Sequence, residues 1–248
     1  MPAGHMVSPA RWQRAQQYGG YWASLASRIA AGSESQLDWY RWRAEQLVER
    51  LRTIGLGQLT DGSARVVEVG SGPIGVVGFF PAAERVAIDP LEPYYAAQST
   101  LVALRNPAVE YRAGSVEALP CESDQFDLAI IENCIDHVRD MHGGMRELKR
   151  VLRRRGALYL TVNCRTPWGF VVHRALSRLR IDAGHPHTFT PPRARAILNR
   201  HGFSIVDFAV GSYQAARRED LAASERRARI KGLIGVSEFI ASAVALCV

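Results

Sequence analysis

The chain has 248 residues, 47% apolar and 22% charged, and a net charge of +7 from 31 basic and 24 acidic side chains. That length buries a full core and suits one domain with appendages, in the composition range of an ordinary soluble globular protein. Cys121, Cys134, Cys164 and Cys247 stand far apart with no C-x-x-C pair, which argues against a disulfide framework or a zinc site and for a reducing, cytoplasmic setting.

The opening MPAGHMVSPARWQRAQQYGG lacks the apolar segment of a signal peptide. No run reaches the roughly 20 apolar residues that span a bilayer. Residues 10–52 are expected to be helical, with Trp12, Tyr18, Tyr21, Trp22, Trp39, Tyr40 and Trp42 along them and a break at AAGSES. Leu37, Tyr40, Leu47 and Leu51 share one broad stripe, so the second segment should pack on the rest of the protein. With the GLGQLTDGS loop, residues 1–60 form a helical cap.

From residue 64 strand and helix signals alternate. The expected elements are a strand at 64–69, a glycine loop, a helix near 74–80, a strand at 85–88, a helix near 93–104 and a strand at 109–111. Then come strand 126–131 (FDLAII), helix 143–152, strand 157–163 (ALYLTVN), helices near 168–179 and 191–201, and strand 203–210 (FSIVDFAV). Continuous apolar strands alternating with helices indicate an α/β, Rossmann-like, mostly parallel sheet covered on both faces. Residues 61–210 are the core. Residues 211–248 are expected to be a helical extension, in which GLIGVSEFIASAVALCV forms a packed helix that covers a site, mediates a homodimer or touches a membrane peripherally.

The stretch VVEVGSGPIG holds Gly70, Gly72 and Gly75 at G-x-G-x-x-G spacing. Such glycines let the backbone approach a ligand at the carboxyl ends of parallel strands, in dinucleotide enzymes and in methyltransferases alike. Glu68, two residues before the first glycine, repels a pyrophosphate and attracts the ammonium of a methionine moiety. Asp89 ends the second strand in RVAIDP, 19 residues after Gly70, where a carboxylate accepts both hydroxyls of an adenosine ribose. That suits either cofactor.

Taken in order, VVEVGSGPIG, VAIDP, GSVEALP, FDLAIIENCIDHV and MRELKRVLRRRGALYLTVN resemble the class I S-adenosylmethionine-dependent methyltransferases. The likeness is to the subgroup of ubiquinone/menaquinone-type and small-molecule enzymes, over about residues 64–208, and it implies a seven-stranded-type sheet. It also implies that Glu68, Gly70, Ser71 and Gly72 shape the methionine end and that Pro90 and Leu91 flank the adenine beside Asp89. Ser115 and Val116 contact the adenine, and Glu132 and Asn133 line the transfer end. Ser115 stands where the family usually has an acidic residue.

Methyl transfer from a sulfonium is an in-line displacement that needs alignment and exclusion of water more than covalent help. An acceptor hydroxyl also needs a base. The candidates are His137, in the family's x-x-H-V pattern, and His185 and His187 of AGHPHTFTPP, which overhangs the acceptor pocket in this architecture. Each has a structural alternative: His137 as first-turn packing, His185 and His187 as docking for the next helix. Trp39, Tyr40 and Trp42 are expected in the core, and the alternative for Tyr40, with Arg43, is to reach over the methionine carboxylate. No compact carboxylate cluster suggests a metal.

The expected activity is methyl transfer, with O-methylation favoured, to a small-molecule acceptor such as a sugar, polyketide, quinone-like or lipid-linked metabolite. The alternatives are a nucleic-acid or protein methyltransferase and a non-catalytic cofactor binder. The arginine-rich runs 148–156 and 216–232 lack interleaved aromatics, so a nucleic-acid partner is not expected.

Overall fold

Strands apolar at nearly every position are buried on both faces, and Arg65–Val69 (β1) and Phe126–Glu132 (β4) occupy the middle of the sheet accordingly. The computed structural model describes residues 25–29, 31, 34–178 and 186–248. Its seven-stranded sheet has the order β3-β2-β1-β4-β5-β7-β6. The other strands are Glu84–Asp89 (β2), Glu110–Ala113 (β3), Leu152–Cys164 (β5), Phe203–Val210 (β6) and Phe239–Cys247 (β7). β1 to β5 run parallel, whereas β7 lies antiparallel between β5 and β6. The order reverses between β1 and β4, and the crevice at their carboxyl ends is where ligands bind in open α/β sheets.

The helices are Glu34–Thr53 (α1), Glu92–Ala96 (α2), Ser99–Val102 (α3), Met141–Val151 (α4), Pro167–Arg178 (α5), Pro191–Arg200 (α6), Tyr213–Ala222 (α7) and Arg226–Ile234 (α8). The stripe expected on α1 is its buried face. Leu47 and Leu51 pack with Val66, Val77 and Phe80, while Tyr40 and Ala44 pack with Ile74, Val76 and Tyr95. α1 therefore lies along the glycine loop. Residues 1–24, which carry Trp12, Tyr18, Tyr21 and Trp22, lie outside the described residues.

Three expectations are corrected. The helix near 74–80 is a single 3-10 turn, Val76–Phe79, opened by Gly75 at φ 83°. Two glycines, two valines and the flanking Pro73 and Pro81 leave too little helix propensity for more. The helix near 93–104 is split into α2 and α3, with Gln98 in an extended conformation between them.

The third correction concerns the tail, which is helical only through α7 and α8. FIASAVALC is β7, hydrogen-bonded on both edges and buried at Phe239, Ala241, Ala243, Val244, Ala245 and Cys247. A short apolar run rich in alanine reads the same for a buried helix as for a strand, and here tertiary pairing decides. Residues 211–248 are consequently no separate extension: α7 and α8 are an insertion between two strands of the sheet.

Candidate functional site

The site begins with backbone that only glycine tolerates. Gly70, Gly72 and Gly75 have φ of 73°, 63° and 83°. A Cβ on Gly70 would lie 2.6 Å from Cys134 Sγ, and one on Gly75 would lie 2.9 Å from Glu68 Oε2. The first glycine thus lets the loop after β4 close on the loop after β1. The third makes room for a carboxylate. With only one 3-10 turn after it, the loop has no long helix to aim a dipole at a pyrophosphate.

Glu68 is buried at the end of β1, and its Oε2 accepts the Val77 N–H at 2.7 Å. Burial pushes its pKa up to about 7, opposed by that amide and by the charge of Arg43. Arg43 projects from α1, pairs with Glu132 at the end of β4 and lies 4.2 Å over the Trp39 ring. Burial lowers the Arg43 pKa, and the negative charge of Glu68 opposes the shift. Among the described residues, two carboxylates thus stand around the Arg43 guanidinium at this end of the crevice.

Asp89, buried at the end of β2, uses one oxygen on Gly72 N–H at 2.9 Å and the other on Leu91 N–H at 2.8 Å. Burial raises its pKa, and those two amides oppose the rise. Each oxygen keeps a second lone pair for a ligand hydroxyl. Glu68, Gly70, Ser71, Gly72, Asp89, Leu91, Glu132 and Asn133 therefore meet at three adjacent strand ends, in the sheet order β2-β1-β4.

The remaining expected contacts sit around this group. Ser71 is buried with its Oγ 3.2 Å from Gly72 O, and Pro90 is exposed at the rim. Ser115 and Val116 follow β3, whose loop is tied in by Gly114 N–H donating to Asp89 O at 3.3 Å. Ser115 Oγ accepts from Glu117 N–H at 3.3 Å, while the Val116 side chain belongs to the core and touches Gly144. Asn133 takes φ 46°, with its N–H on Thr161 O at 3.0 Å.

Several supporting residues lack a local sequence signal. Glu92 and Arg105 form a buried two-bond pair at 2.8 and 2.7 Å, and Arg105 Nε donates to Pro73 O at 2.8 Å. Tyr111 Oη donates to Ile74 O at 2.8 Å and Asn106 Nδ2 to Gly78 O at 2.7 Å. Three carbonyls of the glycine segment are thus held by side chains 28 to 37 residues away. Tyr95 Oη and Asn133 Oδ1 are buried with no hydrogen-bond partner among the described residues, as groups that await a ligand would be.

The histidines separate. His187 is buried; its Nε2 lies 2.9 Å from Val138 O and its N–H donates to Asp136 O at 3.2 Å. It ties the segment before α6 to the loop after β4, which is the docking alternative. His137 is partly exposed, with Nε2 3.9 Å from the buried Asp136 carboxylate. His185 lies outside the described residues. Cys134 is a neutral filler, its thiol pKa pushed up by burial.

Residues 67–160 match a family model described as a methyltransferase domain. The chain is 35% identical over 100 residues to an uncharacterised methyltransferase-like protein of Schizosaccharomyces pombe, covering 39% of this chain and 38% of that one. It is 24% identical over 111 residues to the ubiquinone biosynthesis O-methyltransferase of Bartonella tribocorum, covering 42% of this chain and 45% of that one. The matched stretch thus spans less than half the length of either curated relative. Among solved structures, the cyclase SpnF superposes with a TM-score of 0.64 at 16% identity, over 98% of both chains. That likeness is one of fold. The matched stretch holds the strand ends that carry Glu68, Asp89 and Glu132, so residues 67–160 are similar to a methyltransferase domain and lie on a Rossmann-like sheet.

Proposed function

We propose that the protein transfers a methyl group from S-adenosylmethionine to a small-molecule acceptor. The observation that carries this reading is the charge at the strand ends. Among the described residues Glu68 and Glu132 share the Arg43 guanidinium, so the crevice suits a ligand that brings positive charge and repels a pyrophosphate. The buried and unpartnered Tyr95 Oη and Asn133 Oδ1, and the spare lone pairs of Asp89, fit a ligand rich in hydroxyl and amino groups.

In this reading Asp89 takes the ribose hydroxyls and Glu68 faces the ammonium across the loop that Val77 N–H and Gly75 hold in place. Arg43 pairs with Glu132 and spans from α1 to β4, closing that end against water. When bound, S-adenosylmethionine supplies an electrophilic methyl group on a sulfonium. For a hydroxyl acceptor, His137 is the base: it is partly exposed, and the buried Asp136 carboxylate at 3.9 Å offers a partner to the imidazolium that proton transfer creates. His187 positions the overhanging segment. The O-methylation and the quinone-like acceptor class rest on the resemblance to the ubiquinone biosynthesis O-methyltransferase.

The test is release of S-adenosylhomocysteine with a panel of phenolic, quinol and sugar acceptors. Turnover is expected with at least one hydroxylated acceptor and is lost in Asp89→Ala. In His137→Ala a loss of roughly 100-fold or more in kcat, at an unchanged KM for cofactor, fits a base. An unchanged kcat removes His137 from the reaction.

A further inference from the structure

The insertion between β6 and β7 carries a surface that the proposed reaction does not use. On α8, residues 226, 229, 230, 233 and 234 fall on one face at helical spacing. Ile230, Leu233 and Ile234 are 45%, 67% and 48% exposed, and they form the middle of that face. Arg226, Arg227 and Arg229 border it and are exposed; none is paired with a described carboxylate. The stripe continues onto α5, whose Trp168 and Val171 are each 60% exposed. The two helices are joined there by Trp168 Nε1 donating to Ile234 O at 2.9 Å. The exposed Arg174 extends the basic border along α5.

This patch has a definite place in the fold. α8 ends at Gly235, and β7 then begins at Phe239, paired with Cys164, the last residue of β5. α5 starts three residues beyond Cys164, at Pro167. Glu238 anchors the junction, accepting from Arg165 at 2.5 Å and from Lys231 at 3.0 Å. The patch therefore lies beyond the carboxyl ends of the parallel strands, at the same end of the sheet as Glu68, Asp89 and Glu132.

We propose that the face formed by α8 and the start of α5 docks the protein reversibly on an anionic lipid surface, with Ile230, Leu233, Ile234, Trp168 and Val171 entering the interface and Arg226, Arg227 and Arg229 meeting the headgroups. Large aliphatic and indole side chains ringed by unpaired arginines are the pattern of a helix that lies in the plane of a membrane. Among the described residues no helix is long and apolar enough to cross a bilayer, so the contact is peripheral. A second copy of the chain is the poorer occupant. A two-fold interface would set the same arginines against themselves, and interface centres are depleted of charge. Docking is independent of the proposed reaction; where both hold, a lipid-borne acceptor reaches the crevice from the surface on which the protein sits.

The test is co-sedimentation of the full chain with phosphatidylcholine vesicles, with and without phosphatidylglycerol. Binding is expected to the anionic vesicles and to weaken as salt rises. The triple variant Arg226→Gln, Arg227→Gln, Arg229→Gln should lose about a hundredfold, at about fivefold per arginine. The double variant Leu233→Glu, Ile234→Glu should lose at least as much. Both variants should keep the thermal melt and the cofactor affinity of the parent, which separates failure of docking from failure of the proposed reaction. Absence of binding to anionic vesicles overturns the proposal, as does parental binding by either variant. A parent that sediments as a dimer, and becomes monomeric in the Leu233→Glu, Ile234→Glu variant, overturns it in favour of a second copy.

Discussion

Arginine is used in two opposite ways in two regions of this molecule. Arg43, half-buried, pairs with Glu132, and Arg105, buried, pairs with Glu92 and holds the Pro73 carbonyl of the glycine loop. Arg226, Arg227 and Arg229 stand exposed beside an apolar stripe on the insertion. The net charge of +7 therefore says little about the ligand. What matters is where the excess lies: among the described residues two carboxylates stand around the Arg43 guanidinium in the crevice, and the outer surface of α8 has more positive charge than it pairs.

The sharpest way to break this comparison is to remove one arginine from each region. Arg105→Ala leaves Glu92 buried without its partner and frees the Pro73 carbonyl, so it should cost about 3–5 kcal/mol in denaturant unfolding. A loss under about 1 kcal/mol would mean that the pair does not hold the loop. Gly75→Ala combines a positive φ with a Cβ 2.9 Å from Glu68 Oε2, and should cost roughly 1–3 kcal/mol while weakening cofactor binding. Stability equal to the parent would show that the loop relaxes without Glu68.

A third prediction uses pH. The Glu68 pKa is raised from 4.5 to about 7, so at low pH the folded and unfolded forms are both protonated. Between those values the folded protein alone keeps the proton. This group's contribution is present below about 4.5 and is lost as pH rises towards 7. Denaturant midpoints at pH 5 and pH 8 should accordingly fall further in the parent than in Glu68→Gln, and equal falls contradict the assignment. The smallest effect belongs to the other region: Arg226→Ala should stay within about 0.5 kcal/mol of the parent.

These contrasts follow what was legible in the chain. β1, β4 and β6 are readable because continuous or alternating apolar runs admit one pairing, and FSIVDFAV spans the observed Phe203–Val210. β7 is not readable, since FIASAVALC becomes a strand only by filling the gap between β5 and β6. Glu68 and Asp89 stand out by their distance from the glycines. Arg105 and Tyr111 do not, because their partners lie tens of residues away and no local pattern joins them. The patch on α8 was partly visible as an arginine-rich run. Its apolar centre emerges only once the register of the helix is known.

The central claim is that the strand ends bind S-adenosylmethionine through Glu68 and Asp89. Titration calorimetry tests it most directly, with S-adenosylmethionine and NAD offered in turn to the parent and to Asp89→Ala. Saturable heat from S-adenosylmethionine in the parent, its loss in Asp89→Ala at an unchanged melting temperature and no heat from NAD are the predicted result. Binding of NAD in place of S-adenosylmethionine, or equal affinity in Asp89→Ala, would contradict it.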